Sequence, residues 1–245
     1  MTTFREGNRG VLIMEEKVGR PLEALITIVD YSLGNLLKKI YKRDELPFYL
    51  LSHGYGSADS EIYELLGFGS PKKLVAISIQ SVNLTPQILA RLRARIDLYQ
   101  AGTGIAFTIP LDSSSSVLWK ICQQADEDNT YMGSEDQTME LKEPYALIVT
   151  IVNRGHSDLV MTAAKAAGAT GGTLLHGLGL GSKEAEKFLG ITIQPEKDVI
   201  LILAPQAKKA RIMEEITHEA GLNTTGRGIC FSLPVNTALG LINQD

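Results

Sequence analysis

The chain has 245 residues, 24 Lys and Arg against 28 Asp and Glu, a formal net charge of −4, and 44% apolar residues. That length admits one large domain or two small ones, and the composition is globular rather than disordered or collagen-like. An acidic balance without a basic run argues against nucleic acid as a partner, because phosphate neutralisation needs clustered Lys and Arg.

Residues 1–22 show no clear periodicity and read as an N-terminal arm, with one short apolar run at Val11–Met14 that suits an extra strand. That run is too short for a signal-peptide core or a membrane span, so a cytoplasmic protein with no membrane insertion is expected. Cys122 and Cys230 are the two cysteines, without a CxxC. They supply neither a disulfide framework nor a zinc site, and reduced thiols fit the same compartment.

A first domain is expected over residues 23–110. Apolar runs predict strands near Leu25–Asp30, Phe48–His53, Leu74–Ile79 and Ile105–Ile109, and helices near Leu33–Lys42 and Pro86–Leu98. Pro86 suits the first turn of its helix, where a missing N–H costs nothing. Residues 111–143 read as an acidic linker. Ser113–Ser116 can cap a short helix at Val117–Gln124, while Asp126-Glu127-Asp128 and Glu135-Asp136 read as solvated charge.

A second domain is expected over residues 144–245. Ala146–Val152 is a buried strand. Ser157–Ala167 is a helix that Ser157 or Asp158 can cap and Gly168 can end. Gly171–Leu175 is a short strand, followed by a Gly-rich and then charged loop with a helical turn at Lys183–Leu189. Asp198–Ala204 is a strand, Ala207–Ala220 a helix with Ile212, Met213 and Ile216 inward, and Ile229–Leu233 the last strand.

The two domains repeat one another. Ile28-Val29, His53-Gly54 and Leu66-Gly67 precede Ile151-Val152, His176-Gly177 and Leu189-Gly190 by 123 residues. After one inserted residue, Pro71, Lys73 and Val75 precede Pro195, Lys197 and Val199 by 124, and the ends GTGIAFTIP and GRGICFSLP share GxGIxFxxP. One register with one indel marks a tandem duplication. Each copy reads βαββαβ, so the expected fold class is α+β: two tandem ferredoxin-like sandwiches. Strands such as VILILAP are apolar on both faces, although helices can cover only one. The second face is therefore expected to pack on the sister domain, on another chain, or on both, which predicts an obligate homo-oligomer.

Several residues suit anion binding. Glycines at Gly226-Arg227-Gly228, and by repeat at Gly102-Thr103-Gly104, let successive N–H groups form a nest, and Arg227 adds a planar donor fork. The same glycines also suit a plain tight turn. Gly177, Gly179, Gly181, Ser182 and Lys183 have the composition of a phosphate loop without Walker A spacing, and equally that of a flexible loop. Lys73 and Lys197 can reach an anion between subunits or act as edge-strand charges.

The remaining polar residues offer less. His53 and His176 are equivalent and suit structural hydrogen bonds, or a metal shared through pseudo-symmetry, although neither has an evident acid beside it. His156 and His218 receive no role. Glu184 and Glu186 lack a held base or nucleophile, and no hydrolase or zincin constellation is present, so an enzyme is not expected. Cys230 lies within a strand and is expected to be buried and inert.

The segments GGTLLHGLGLGSKEAEKFLGITIQPEKDVILIL and EEITHEAGLNTTGRGICFSLPV resemble the PII nitrogen-regulatory and PII-like signalling proteins, in particular compact members with a short loop between strands two and three. The resemblance covers nearly all of the second domain, and the first domain joins it through the repeat. It implies a trimeric ferredoxin-like sensor, not an enzyme. A small effector, often an adenine nucleotide, would bind at inter-domain or inter-subunit clefts. A loop would dock on a regulated protein such as a transporter or an enzyme, and three two-domain chains would form the oligomer. It places the effector turn at Gly226, Arg227 and Gly228, and by repeat at Gly102, Thr103 and Gly104, and the effector loop at Gly177–Gln194 and Gly54–Ser70; the residues' own reading adds Lys197 as a further contact.

Two departures qualify the match. Ile229 and Ile105 stand where usual members have a lysine, and no arginines follow the last strand. An effector with fewer phosphates would suit so few cations. The alternatives that the residues leave open are a ligand-free structural or adaptor protein and a metal-binding tolerance protein using His53 and His176. No covalent cofactor is expected.

Overall fold

In the computed structural model, β1 (Leu22–Asp30) is apolar on both faces and buried along almost its whole length. The structure describes residues 21–43, 46–56, 72–100, 102–129, 143–179 and 195–241, with two short strands at 186–188 and 191–193. The first half continues with α1 (Gly34–Arg43), β2 (Tyr49–Gly56), β3 (Lys72–Ser81), α2 (Thr85–Arg95) and β4 (Gly104–Pro110). After α3 (Ser116–Asn129), the second half runs β5 (Tyr145–Asn153), α4 (Ser157–Ala166), β6 (Thr173–Leu178), β7 (Glu186–Phe188), β8 (Ile191–Ile193), β9 (Glu196–Pro205), α5 (Gln206–Ala220), β10 (Ile229–Val235) and β11 (Ala238–Leu239).

Each half has the split-βαβ order, and both belong to one antiparallel sheet of nine strands, β10-β5-β9-β6-β2-β3-β1-β4-β11. Two strand pairings join the halves within the sheet. Tyr55 and Gly56 of β2 pair with Leu174 and Thr173 of β6. At the other end β11, from the second half, pairs with β4 of the first, Ala238 opposite Phe107 and Leu239 opposite Ala106.

Three apolar clusters follow from this topology. Leu25, Val29, Leu37, Tyr41, Ile88 and Leu92 fill the space between the first half's helices and its sheet. Ile148, Val152, Val160, Ile200, Ile202 and Ile212 do the same in the second. The third cluster lies on the opposite sheet face and joins Ile26, Ile28 and Phe107 to Leu147, Val149 and Leu203. The sister half therefore covers the second apolar face, so burial within a single chain already answers part of the argument for an oligomer.

Several local expectations are corrected. The helix expected over Val117–Gln124 extends to Asn129, and Asp126 is buried, with Asn83 Nδ2 donating to it at 3.4 Å. The start of the acidic run is thus packed rather than solvated, because α3 lies against β3 and buries Cys122 as well. His156, not Ser157 or Asp158, precedes α4, and no side-chain cap forms. Within the helical turn expected at Lys183–Leu189, residues 186–188 instead form β7, which pairs with β8, Glu186 opposite Ile193 and Phe188 opposite Ile191, and the rest of that turn lies outside the described residues. The β-branched Ile and Thr of β8 favour that pairing. Val11–Met14 and Glu135-Asp136 lie outside the described residues.

Candidate functional site

Each half brings three segments to one end of its sheet: the end of its first strand, the start of its third, and the GxG turn before its fourth. In the second half Lys197 Nζ donates to Asn153 Oδ1 at 2.8 Å. The Asn153 N–H donates to Gly226 O at 2.9 Å, and its Nδ2 to Thr225 O at 3.2 Å. Asn153 thus ties Lys197 to the turn. The loop between β6 and β9 has its base here too. Gly179 N–H donates to Pro195 O at 2.8 Å, and Gly179 lies so close to the Lys197 stem that a Cβ there would sit 2.8 Å from Cε.

The turn itself is wound inward. Gly226 N–H donates to Thr224 Oγ1 at 3.2 Å, Arg227 N–H to Thr224 O at 3.2 Å, and Gly228 N–H to Ala220 O at 2.8 Å. The expected nest of backbone donors is therefore occupied by the protein's own acceptors. Gly228 is required by packing, since a Cβ would run into the Ala220 carbonyl. Arg227, exposed at φ 45°, is the one described non-glycine residue in the left-handed region. That backbone costs about 1–2 kcal/mol for an L-residue.

The first-half copy is closed more tightly. Lys73 Nζ donates to Gly102 O at 2.7 Å and lies 3.8 Å from Asp30 Oδ2, itself buried and without a hydrogen-bond partner. Burial lowers the Lys73 pKa, and the Asp30 charge opposes that shift. Asp30 N–H donates to Thr103 O at 2.8 Å, and Asp30 Oδ1 accepts from Ser32. Gly104 continues as β4 against Val29.

The two histidines have diverged. His176 Nδ1 lies 2.9 Å from Oδ1 of the buried Asp198, which also accepts the Gly155 N–H at 2.9 Å and has Arg154 Nε at 3.7 Å. The absence of an acid beside His176 is thus corrected: β6 and β9 pair His176 directly with Asp198. The repeat hides this, because Leu74 occupies the matching position in the first half. His176 packs on Tyr55 of the first half at 5.5 Å between ring centroids, whereas His53 packs on Tyr31 at 5.4 Å. No group of three His, Cys, Asp or Glu side chains able to hold a metal forms among the described residues. Cys230 is half-buried, and burial raises its thiol pKa, partly opposed by Thr150. Gly181, Ser182, Lys183 and Glu184 lie outside the described residues, as does the Glu186 side chain.

Sequence reasoning found Lys197 and the turn but missed Asn153, Arg154 and Asp198. A polar residue closing an apolar strand in both copies, Asp30 and Asn153, was the available signal.

These observations define a protein with two βαββαβ halves, each holding a lysine against the GxG turn at one end of its sheet. No family model matches the chain, and no characterised protein sequence does. Among solved structures, Arabidopsis thaliana PII bound to citrate is similar at 19% identity and a TM-score of 0.30, over 39% of this chain and 78% of that one. CPII from Thiomonas intermedia K12, bound to ADP, AMP and acetate, is similar at 14% identity and a TM-score of 0.32, over 41% and 95%. A Bacillus cereus protein related to NIF3 is similar at 13% identity and a TM-score of 0.32, over 53% and 43%. Likeness of this degree identifies neither fold nor function, and the topology stands on the strand register itself. No helix among the described residues is long and apolar enough to cross a membrane.

Proposed function

We propose that the chain is a PII-like regulatory sensor, not an enzyme, taking a small anionic effector with an adenine nucleotide foremost. The observation that carries this reading is the convergence at the base of the β6–β9 loop. Asn153 bridges Lys197 to the Gly226 turn, and Lys197 lies against Gly179. An anion drawn to Lys197 and Arg227 would shift the loop between states by as much as its affinities for them differ. The loop would then dock on a partner such as a transporter or an enzyme. A role in nitrogen regulation and cytoplasmic location follow from the family resemblance.

Self-association, as a trimer of two-domain chains, is part of the proposal. Ile229 and Phe231 remain exposed on β10, the terminal strand of the sheet, and Leu50 on β2. A second reading, an adaptor without ligand, draws on the inward pairing of the N–H groups at Gly226, Arg227 and Gly228.

Calorimetric titration with ATP, ADP, AMP, cyclic dinucleotides and S-adenosylmethionine tests the choice. The sensor reading expects micromolar binding by at least one ligand, weakened more than about tenfold, roughly 1.4 kcal/mol, by Arg227→Ala. Silence across the whole panel would leave the adaptor reading.

A further inference from the structure

The two halves hold the same lysine beside different partners. Asp30 and Lys73 are the last pair of β1 with β3, and Asn153 and Lys197 the last pair of β5 with β9. One copy thus sets a carboxylate beside the lysine and the other an amide. In the first half Lys73 Nζ lies 3.8 Å from Asp30 Oδ2, and the two side chains are only 14% and 16% exposed. In the second, Asn153 Oδ1 accepts from Lys197 Nζ at 2.8 Å while its Nδ2 donates to Thr225 O at 3.2 Å.

The difference is one of chemistry, not of position. An ionised carboxylate only accepts hydrogen bonds, whereas an amide both accepts and donates. Asn153 can therefore hold the lysine and the turn together. Asp30 cannot, and Lys73 itself reaches the turn, on Gly102 O at 2.7 Å. Capping accounts for one Asp30 oxygen only. Oδ1 accepts from Ser32 N at 2.9 Å and from Ser32 Oγ at 2.6 Å, at the start of the 3-10 turn Tyr31–Leu33. Asn would cap equally well. What Asp adds is a charge. Its second oxygen is buried, accepts no hydrogen bond, and has the Lys73 ammonium as its neighbour. A carboxylate there competes with an incoming anion for that ammonium and repels it. Burial disfavours the Lys73 charge and Asp30 favours it, so removal of the carboxylate leaves the ammonium in want of another anion.

We propose that Asp30 is the specificity-determining residue of the duplication: it serves the first half as a built-in anion and closes that copy, so that each chain takes its anionic effector in the second half alone. This rests on the sensor reading of the strand-end site. Thr103, standing where the second half has Arg227, also removes a donor from the first copy. The two causes separate by experiment, because a donor restored beside an intact Asp30 still meets a lysine that is already paired.

The test is calorimetric titration of the full chain with ADP and with inorganic pyrophosphate. The wild type is expected to bind one ligand per chain. Asn153→Asp, which copies the first half into the second, should weaken that binding at least about tenfold. Asp30→Asn with Thr103→Arg copies the second half into the first and should add a second ligand per chain, which Lys73→Gln then removes. Thr103→Arg with Asp30 kept should add none. Asp30→Ser, which also caps without charge, replaces Asp30→Asn if that variant melts early. Two ligands per wild-type chain would overturn the proposal. So would binding that Asn153→Asp leaves intact, a second ligand gained with Thr103→Arg alone, or none gained by the double variant. A wild type silent toward both probes would sink the sensor reading for them. The double variant must still gain a ligand in that case, and its failure to do so overturns the role of Asp30 as well.

Discussion

Arg227 holds a backbone conformation that glycine would hold without strain, in the turn where the proposed effector needs a cation. Stability and binding should therefore separate at this residue. Arg227→Gly is expected to raise the unfolding free energy by about 1 kcal/mol in chemical denaturation, through relief of the left-handed strain, while the effector affinity falls. A variant that loses stability would mean that the side chain holds the turn together. The arginine was legible as a donor, because a planar guanidinium fork stands in the GxG turn where the repeat has Thr103. What its glycines do was not legible. Sequence suggests donors turned out toward an anion, but the chain folds the turn back onto Ala220 and Thr224. Such closure depends on where the end of α5 lies, a tertiary fact that spacing within the turn does not encode. Asp198 was hidden for a related reason. Only strand register puts it beside His176, and the repeat points to a leucine instead.

The strands and helices follow the apolar periodicity closely, and most departures lie where pairing with a distant segment extends an element. β2 was expected to stop at His53 and runs to Gly56, because Tyr55 and Gly56 find partners on β6. That seam is narrow, and Gly54 sits at it. A Cβ there would lie 3.0 Å from the Leu175 side chain and 3.1 Å from the Leu174 carbonyl. Gly54→Val should force β2 and β6 apart and cost about 1–3 kcal/mol, as overpacking does. Denaturation followed by two probes, Trp119 fluorescence and far-ultraviolet circular dichroism, should then give separated transitions in place of one. Coincident transitions with an unchanged midpoint would mean that the seam does not couple the halves. β7 and β8 show the opposite limit. Their three-residue runs are too short for a period to distinguish strand from helix, and the charged residues before them favoured the wrong choice.

At the scale of the whole molecule the duplication is unequal. The chain end leaves β10, crosses to the first half as β11, and buries Leu239 in the cluster formed by Leu25, Leu37, Ile88 and Leu98. Gly240 follows at φ 79°, packed against the carbonyls of Leu98 and Gly104 where no side chain fits. The matching segment of the first half does not return the exchange, since Leu111 N–H stays on Leu22 O and α3 turns to β3. The first half thus completes its core with a residue from the second, while the second closes its own helix-side core. Leu239→Ala should cost about 3 kcal/mol, within the usual range for a buried leucine, and the loss should fall unevenly. In hydrogen exchange, amides of β4 and α2 should lose protection well before those of β5 and α5, although the mutated residue belongs to the C-terminal half. Even loss across both halves would show a single cooperative unit, and loss confined to β10 would show that β11 is only a tether. The uneven pattern is expected because the cavity opens in the first half's core, and a cavity destabilises most the contacts that line it.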